Sequence, residues 1–146
     1  SELLSSEPNF KDKILLIEEY ISGTVNERPL ELELTSLGAQ KIFVHGHCHQ
    51  KASDALGATV SLLQSIPRSS LEVIDSGCCG MAGSFGYFKD KYDMSIALAE
   101  RDLIPRIKKS KGKIAVVAAG VSCREQINHG TDARSKHPVE IIADII

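Results

Sequence analysis

The sequence predicts a three-layer α/β fold built on a parallel sheet, and three observations predict it. Short apolar runs recur at residues 41–44, 71–74 and 114–119, each of a length and composition suited to a buried strand. Between them lie segments with apolar residues at helical spacing, long enough for right-handed crossover helices. Each run leads directly into a segment that carries glycine and cysteine. In an open α/β sheet the carboxyl ends of the strands share one edge, where ligands usually bind.

Taken in order, Phe10, Ile14, Ile17 and Ile21 recur at helical spacing, with Leu16 and Tyr20 beside them and Gly23 as a stop. This is a first amphipathic helix. Leu30-Glu31-Leu32-Glu33-Leu34 alternates strictly, the pattern of an edge strand or hairpin arm with one wet face. Lys41-Ile42-Phe43-Val44 is the first buried strand. From 52 to 66 the residues Ala52, Ala55, Leu56, Thr59, Leu63 and Ile66 fall on one helical face, and Pro67 closes it.

Leu71-Glu72-Val73-Ile74 is the second strand. The stretch 77–86 contains Gly77, Gly80, Gly83 and Gly86 and must be a loop, since each glycine costs a helix about 1 kcal/mol relative to alanine. A long helix is expected to begin within 84–92, with Ser84 as a cap and with Tyr92, Ile96, Ala99, Leu103 and Ile107 on one side. Pro105 should kink or restart it, and Gly112 should end it. Residues 114–119, Ile-Ala-Val-Val-Ala-Ala, form the most continuously apolar run, as expected of a central parallel strand. A short helix over 122–129 follows. A last one opens at Pro138, with Val139, Ile142, Ala143 and Ile146 toward the core. The order is that of a Rossmann-like sheet, with the cysteines at the C-terminal ends of its strands.

The chain has 146 residues, 42% hydrophobic and 25% charged, the size and make-up of one domain over 1–146. Its 17 basic and 19 acidic side chains give a net charge of -2, and no cluster of Lys and Arg with aromatics suggests a nucleic-acid surface. No apolar run approaches the roughly 20 residues of a membrane span, and the acidic start is unlike a secretion signal. The chain opens at Ser1, not at methionine, and is expected to be a piece excised from a longer protein.

Four cysteines, two of them adjacent and one flanked by histidines, point to metal or redox chemistry in a reducing compartment more than to disulfides. Thiolates select zinc, copper(I) or iron-sulfur clusters. Adjacent Cys78 and Cys79 suit a single tetrahedral ion poorly, because neighbouring side chains in an extended chain point apart. A cluster with several irons, or a turn flanked by Gly77 and Gly80, removes the difficulty.

Gly80 and Gly83 would let the backbone approach such a centre and donate amide hydrogen bonds to it. His45, His47 and His49 alternate around Cys48; if the chain turns after Gly46, one of them can join the thiolates. His129 and His137 have weaker claims and read as exposed or capping residues. Arg124, directly after Cys123, would sit at a helix start beside a negatively charged centre or a carboxylate. The Gly83-Ser84 turn could hold an anion. Neither GxxxxGK[ST] nor GxGxxG behind a strand is present. Two competing readings are a plain structural zinc site and nucleophilic catalysis by Cys48 or Cys123 beside a histidine; the latter leaves the Cys78-Cys79 pair without a task.

Cys78-Cys79-Gly80, preceded by His47-Cys48-His49 and followed by Gly120-Val121-Ser122-Cys123, resembles the cysteine-rich CCG domain. Such domains occur in the B subunit of heterodisulfide reductase, in the iron-sulfur subunit of glycolate oxidase and at the C-terminus of FAD-linked D-lactate or 2-hydroxy-acid dehydrogenases. The longer strings 45–52, 78–87 and 122–127 are most similar to the last of these. The resemblance implies a metal or iron-sulfur electron-transfer module, not itself catalytic, of an oxidoreductase acting on a 2-hydroxy acid such as D-lactate or glycolate.

It implies partners too: flavin (FAD) and ferredoxin-like domains of the same polypeptide or complex, and a quinone or cytochrome acceptor. The place would be the cytoplasm or the inner face of the membrane. The implied metal ligands are Cys48, Cys78, Cys79 and Cys123, with His47 or His49 as a fifth. One departure stands out. The heterodisulfide reductase type ends in CxxC, and the first of those positions is Gly120 here, leaving four cysteines where that type has five. Its cluster therefore does not simply carry over, and zinc or a histidine ligand stays open.

Overall fold

The computed structural model describes residues 14–23, 30–81 and 84–146. Its centre is a three-stranded parallel sheet of β1 (Lys41–His45), β2 (Ser70–Val73) and β3 (Ile114–Ala118), in the order β2-β1-β3. Lys41 is in register with Ser70 on one side and Ile114 on the other. The expected α/β fold with a parallel sheet is present. The place of β3 differs from expectation: β1 is the inner strand, and β3 gains its apolar surroundings because Lys136 closes its outer edge. Ala118 N–H donates to Lys136 O and Lys136 N–H to Val116 O, at 3.0 and 2.9 Å.

Side chains alternate across the pleat, so each strand feeds two cores. Phe43, Val116 and Ala118 face one layer with Leu103, Ile107, Cys123 and Ile127. Ile42, Val44 and Val117 face the other with Leu62, Leu63, Ile66, Ile141 and Ile142. The helices that supply these layers are α1 (Ile17–Ser22), α2 (Cys48–Ala52), α3 (Leu56–Gln64), α4 (Lys89–Arg101), α5 (Leu103–Lys108), α6 (Val121–Gly130) and α7 (Pro138–Ala143). No helix among the described residues is long and apolar enough to cross a membrane.

Several local expectations are corrected. Residues 30–34 form no strand. The alternation is real, with Leu32 and Leu34 packed on the second core and the glutamates exposed, but no strand among the described residues pairs with it. The helix expected over 52–66 begins earlier and breaks. Cys48 opens the short α2, a turn at 53–55 follows, and Ala52 is exposed. Ser84 does not cap the long helix: a 3₁₀ turn, Phe85–Tyr87, intervenes, and α4 starts at Lys89.

Pro105 does restart that helix. Its ring would clash with the Arg101 carbonyl, and the chain breaks at Asp102 between α4 and α5. In α1, Gly23 stops the helix in a left-handed conformation, yet Ile17 and Tyr20 are exposed while Glu18 is buried. Phe10 and Gly83 lie outside the described residues. β2, expected to be buried, is half exposed because it forms an edge of the sheet.

Candidate metal centre

The winding of the sheet creates the site. From β1 the chain turns to the layer of α3, and from β3 it turns to the layer of α6, on the opposite face. Connections that diverge in this way leave a crevice beyond the strand ends. Both walls carry cysteine: His45-Gly46-His47-Cys48 after β1 and Gly120-Val121-Ser122-Cys123 after β3. The loop after β2 brings Cys78 and Cys79 to the same rim.

The four thiols are unbridged, Cys48 and Cys78 exposed, Cys79 and Cys123 buried. They meet in a row of sulfur contacts, Cys48 to Cys78, Cys78 to Cys79 and Cys79 to Cys123. His47 stands beside the two end sulfurs, its Nδ1 lying 3.4 Å from Cys123 Sγ and 4.0 Å from Cys48 Sγ. The hydrogen bond from Cys123 pulls the Cys79 thiol down to about 6, helped by the Met81 amide against burial. Cys123, which donates in that bond and is buried, is pushed up. At Cys78 the Gly80 N–H, 3.4 Å from Sγ, favours the thiolate, but burial and the neighbouring sulfurs of Cys79 and Cys48 outweigh it and raise the thiol. Among the described residues no group of three or more His, Cys, Asp or Glu is already arranged to hold a metal ion.

The loops are held from behind. Gly80 has φ +66°, and a Cβ there would lie 2.6 Å from Leu98 Cδ1, so only glycine turns the chain after the cysteine pair without strain. Gln126 and Ser95, both buried, clamp Cys79: Gln126 Nε2 donates to Cys79 O at 2.5 Å and to Ser95 O and Oγ at 2.8 Å, while Ser95 Oγ donates to Cys79 O at 2.8 Å. On the β1 side, Gln50 accepts from His47 N–H at 3.2 Å and donates to Thr59 Oγ1 at 2.8 Å. Lys51 Nζ donates to Ser76 O at 2.6 Å, which ties α2 to the loop after β2.

The other histidines divide as follows. His45 ends β1, buried, with Nδ1 2.8 Å from Ser76 Oγ. Burial first, then Lys51 and His47, lower its pKa to about 4, so it is neutral near pH 7. His47 is lowered too, by burial and by His49, which keeps a lone pair free at the rim. His49 is exposed and stacks on His47 with ring centroids 6.1 Å apart. His129 is exposed near Glu125 and Tyr92, and His137 caps α7 by accepting from Val139 N–H.

Arg124 Nη1 donates to Ala118 O and Ala119 O, at 2.9 and 2.8 Å, closing the end of β3. Beside the sulfur rim lies a cavity of about 500 Å³ whose walls include His47, His49, Ala119, Gly120 and the buried Glu18. Sequence reasoning misses the supporting residues Gln126, Ser95, Gln50 and Lys51. A usable signal exists for Gln126, which stands three residues after Cys123 and so shares its helical face.

Compared with known proteins, the chain is similar to the C subunit of the anaerobic glycerol-3-phosphate dehydrogenase of Escherichia coli (strain K12), 35% identical over 106 residues, which is 73% of this chain and 26% of that one. It is also similar to the D-2-hydroxyglutarate dehydrogenases of Pantoea ananatis and of the same E. coli strain. These are 29% and 25% identical, each covering 91% of this chain and 13% of the relative. The chain thus spans about a quarter of the first relative's length and far less of the other two. No family profile matches it, and no solved structure does.

Proposed function

We propose that this chain is the thiolate-bound metal module of a dehydrogenase, with Cys48, Cys78, Cys79 and Cys123 as ligands and His47 or His49 as a fifth, and that the metal is an iron-sulfur cluster. The observation that carries the reading is the meeting of four sulfurs from three separate strand ends on one rim of the sheet. The donor set fits: sulfur is the soft ligand such centres require. Adjacent Cys78 and Cys79 touch each other and each also reaches a further sulfur, Cys48 and Cys123 respectively, and a row of four sulfurs suits a centre several atoms wide. When bound, the cluster would take up and pass on single electrons. The chain's own residues hold the thiolates, exclude water from the Cys79-Cys123 side and aim the Gly80 amide at Cys78. Such amide donors stabilise the more reduced, more negative state.

The similarity to dehydrogenases several times longer supports a module that works within a larger oxidoreductase. The earlier stages would then be a flavin domain oxidising a 2-hydroxy acid and a ferredoxin-like domain carrying electrons between the two, with a quinone or cytochrome as acceptor and a cytoplasmic site of action. Arg124 joins the proposal by bracing the end of β3, and Gly83 joins it from the sequence alone, as a glycine of the segment that follows Cys78 and Cys79.

A second reading, a structural zinc site, is favoured by one distance set. The separations of 3.4 and 4.0 Å between His47 Nδ1 and two sulfurs bracket the roughly 3.5 Å edge of a zinc tetrahedron. Anaerobic purification followed by iron, zinc and acid-labile sulfide assays separates the two. Brown protein with iron and sulfide is expected, and Cys→Ser at each of the four positions should reduce both. Unchanged metal content in all four variants would sink both readings.

A further inference from the structure

Gly120 precedes the first turn of α6 with φ −72° and ψ 132°, an extended conformation open to any residue. Backbone freedom is therefore not what glycine supplies there. Nor is capping: Ser, Asp or Asn at this position would accept from the free amides of the helix, and no side-chain cap is present. What glycine supplies is room. A Cβ at 120 would lie 2.5 Å from His47 Nδ1, 3.0 Å from His47 Cε1 and 3.0 Å from Cys123 Sγ. The volume that a side chain at 120 would enter is filled by the His47 ring.

Resting on the metal reading above, we infer that the bare backbone at Gly120 admits His47 to the sulfur rim, so that His47 Nδ1, and neither His49 nor a residue at 120, is the nitrogen donor of a mixed thiolate-imidazole centre. The ring is held in place from its own backbone, through the bond from His47 N–H to the buried Gln50 and from Gln50 to Thr59. Ligation through Nδ1 leaves the ring proton on Nε2, and His47 also lines the adjoining cavity. His49 is exposed and stacked on His47, and no hydrogen bond to a sulfur is found for it among the described residues. Its role in the inference is to orient the His47 ring by stacking.

Cobalt(II) is the probe, because its visible bands distinguish sulfur from nitrogen ligands without any turnover assay. The chain is loaded anaerobically with cobalt(II) as wild type and as His47→Ala, His49→Ala, Gly120→Ala and the four single Cys→Ser variants. His47→Ala and Gly120→Ala are expected to shift the ligand-field bands in the same direction and to weaken binding at least tenfold, while His49→Ala stays within about threefold of wild type. Gly120→Cys in the His47→Ala background should restore binding with added sulfur-to-cobalt charge-transfer intensity, since the new sulfur enters the vacated volume.

Wild-type spectra in His47→Ala, a shift in His49→Ala equal to that expected of His47→Ala, or no recovery in the double variant would each overturn the inference. Should Gly120→Ala fail to fold, as judged by the far-ultraviolet melting curve without metal, the His47 variants alone decide. Loss of thiolate bands in the cysteine variants beside unchanged bands in the His47 variants defeats this inference and leaves the metal reading intact; cysteine variants that bind like wild type defeat both.

Discussion

Gln126 is 1% exposed, and its side-chain amide gathers the Cys79 carbonyl and both oxygens of Ser95 into one knot. Buried polar groups of this kind are costly to strand, because removing the Gln126 amide takes one donor from each acceptor and leaves Cys79 O only the Ser95 hydroxyl. Gln126→Ala should therefore lower stability by about 1–3 kcal/mol, measured by urea denaturation. Ser95→Ala, which leaves Gln126 a hold on Cys79, should cost less. At this scale the sequence is legible where chemistry is rare: four cysteines and the 45–49 histidine run stand out in any chain. It is not legible for Gln126, Ser95 or Gln50, since a polar residue on a helix reads as solvent-facing until the packing around it is known.

Among the elements, β2 shows how an edge position changes what a strand carries. Glu72 sits there between Lys41 and Arg106, with Arg106 Nη2 2.7 Å and Lys41 Nζ 2.5 Å from Oε2. The hydrogen bonds from Arg106 and then Lys41 hold its carboxyl down at about 2, against an ordinary 4.5. A folded-state value below the unfolded one means that the contribution is present above about pH 4.5 and is lost as pH falls toward 2. Glu72→Gln should thus lower Tm slightly at neutral pH and flatten the acid limb between those values. The effect is small because the group is partly solvated.

His137 offers a larger one: it caps α7 through Nδ1 and stands 3.6 Å from the buried Glu18. His137→Ala should cost about 0.5–2 kcal/mol as a lost cap, read from thermal melts. Gly23, Pro105 and Pro138 mark their boundaries in the sequence because each acts through its own backbone. The alternation at 30–34 and the serine at 84 mislead, because a strand needs a neighbour and a cap needs the chain to enter the helix at that residue.

For the whole molecule, the sheet order decides the site. Three strands each followed by cysteine are readable, and so is their parallel sense, since crossovers of that length allow little else. Which strand lies in the middle is not. β2 and β3 flank β1 only because the chain after β2 passes over it, and that depends on how the two cores pack. The second core, from Leu62 and Ile66 to Ile141 and Ile142, is what holds α3 and α7 on their face. Ile142→Ala should cost about 2–5 kcal/mol, whereas Ile146→Ala, at a residue 71% exposed, should change denaturation little.

The unequal burial of the sulfurs has a practical side. With Cys48 and Cys78 open to solvent and Cys79 and Cys123 walled in, an alkylating reagent applied to the folded, metal-free chain should register two groups at once and the remaining two only after the fold is lost. A titration under native conditions would report half the true number, and mass spectrometry of the modified peptides would tell which half.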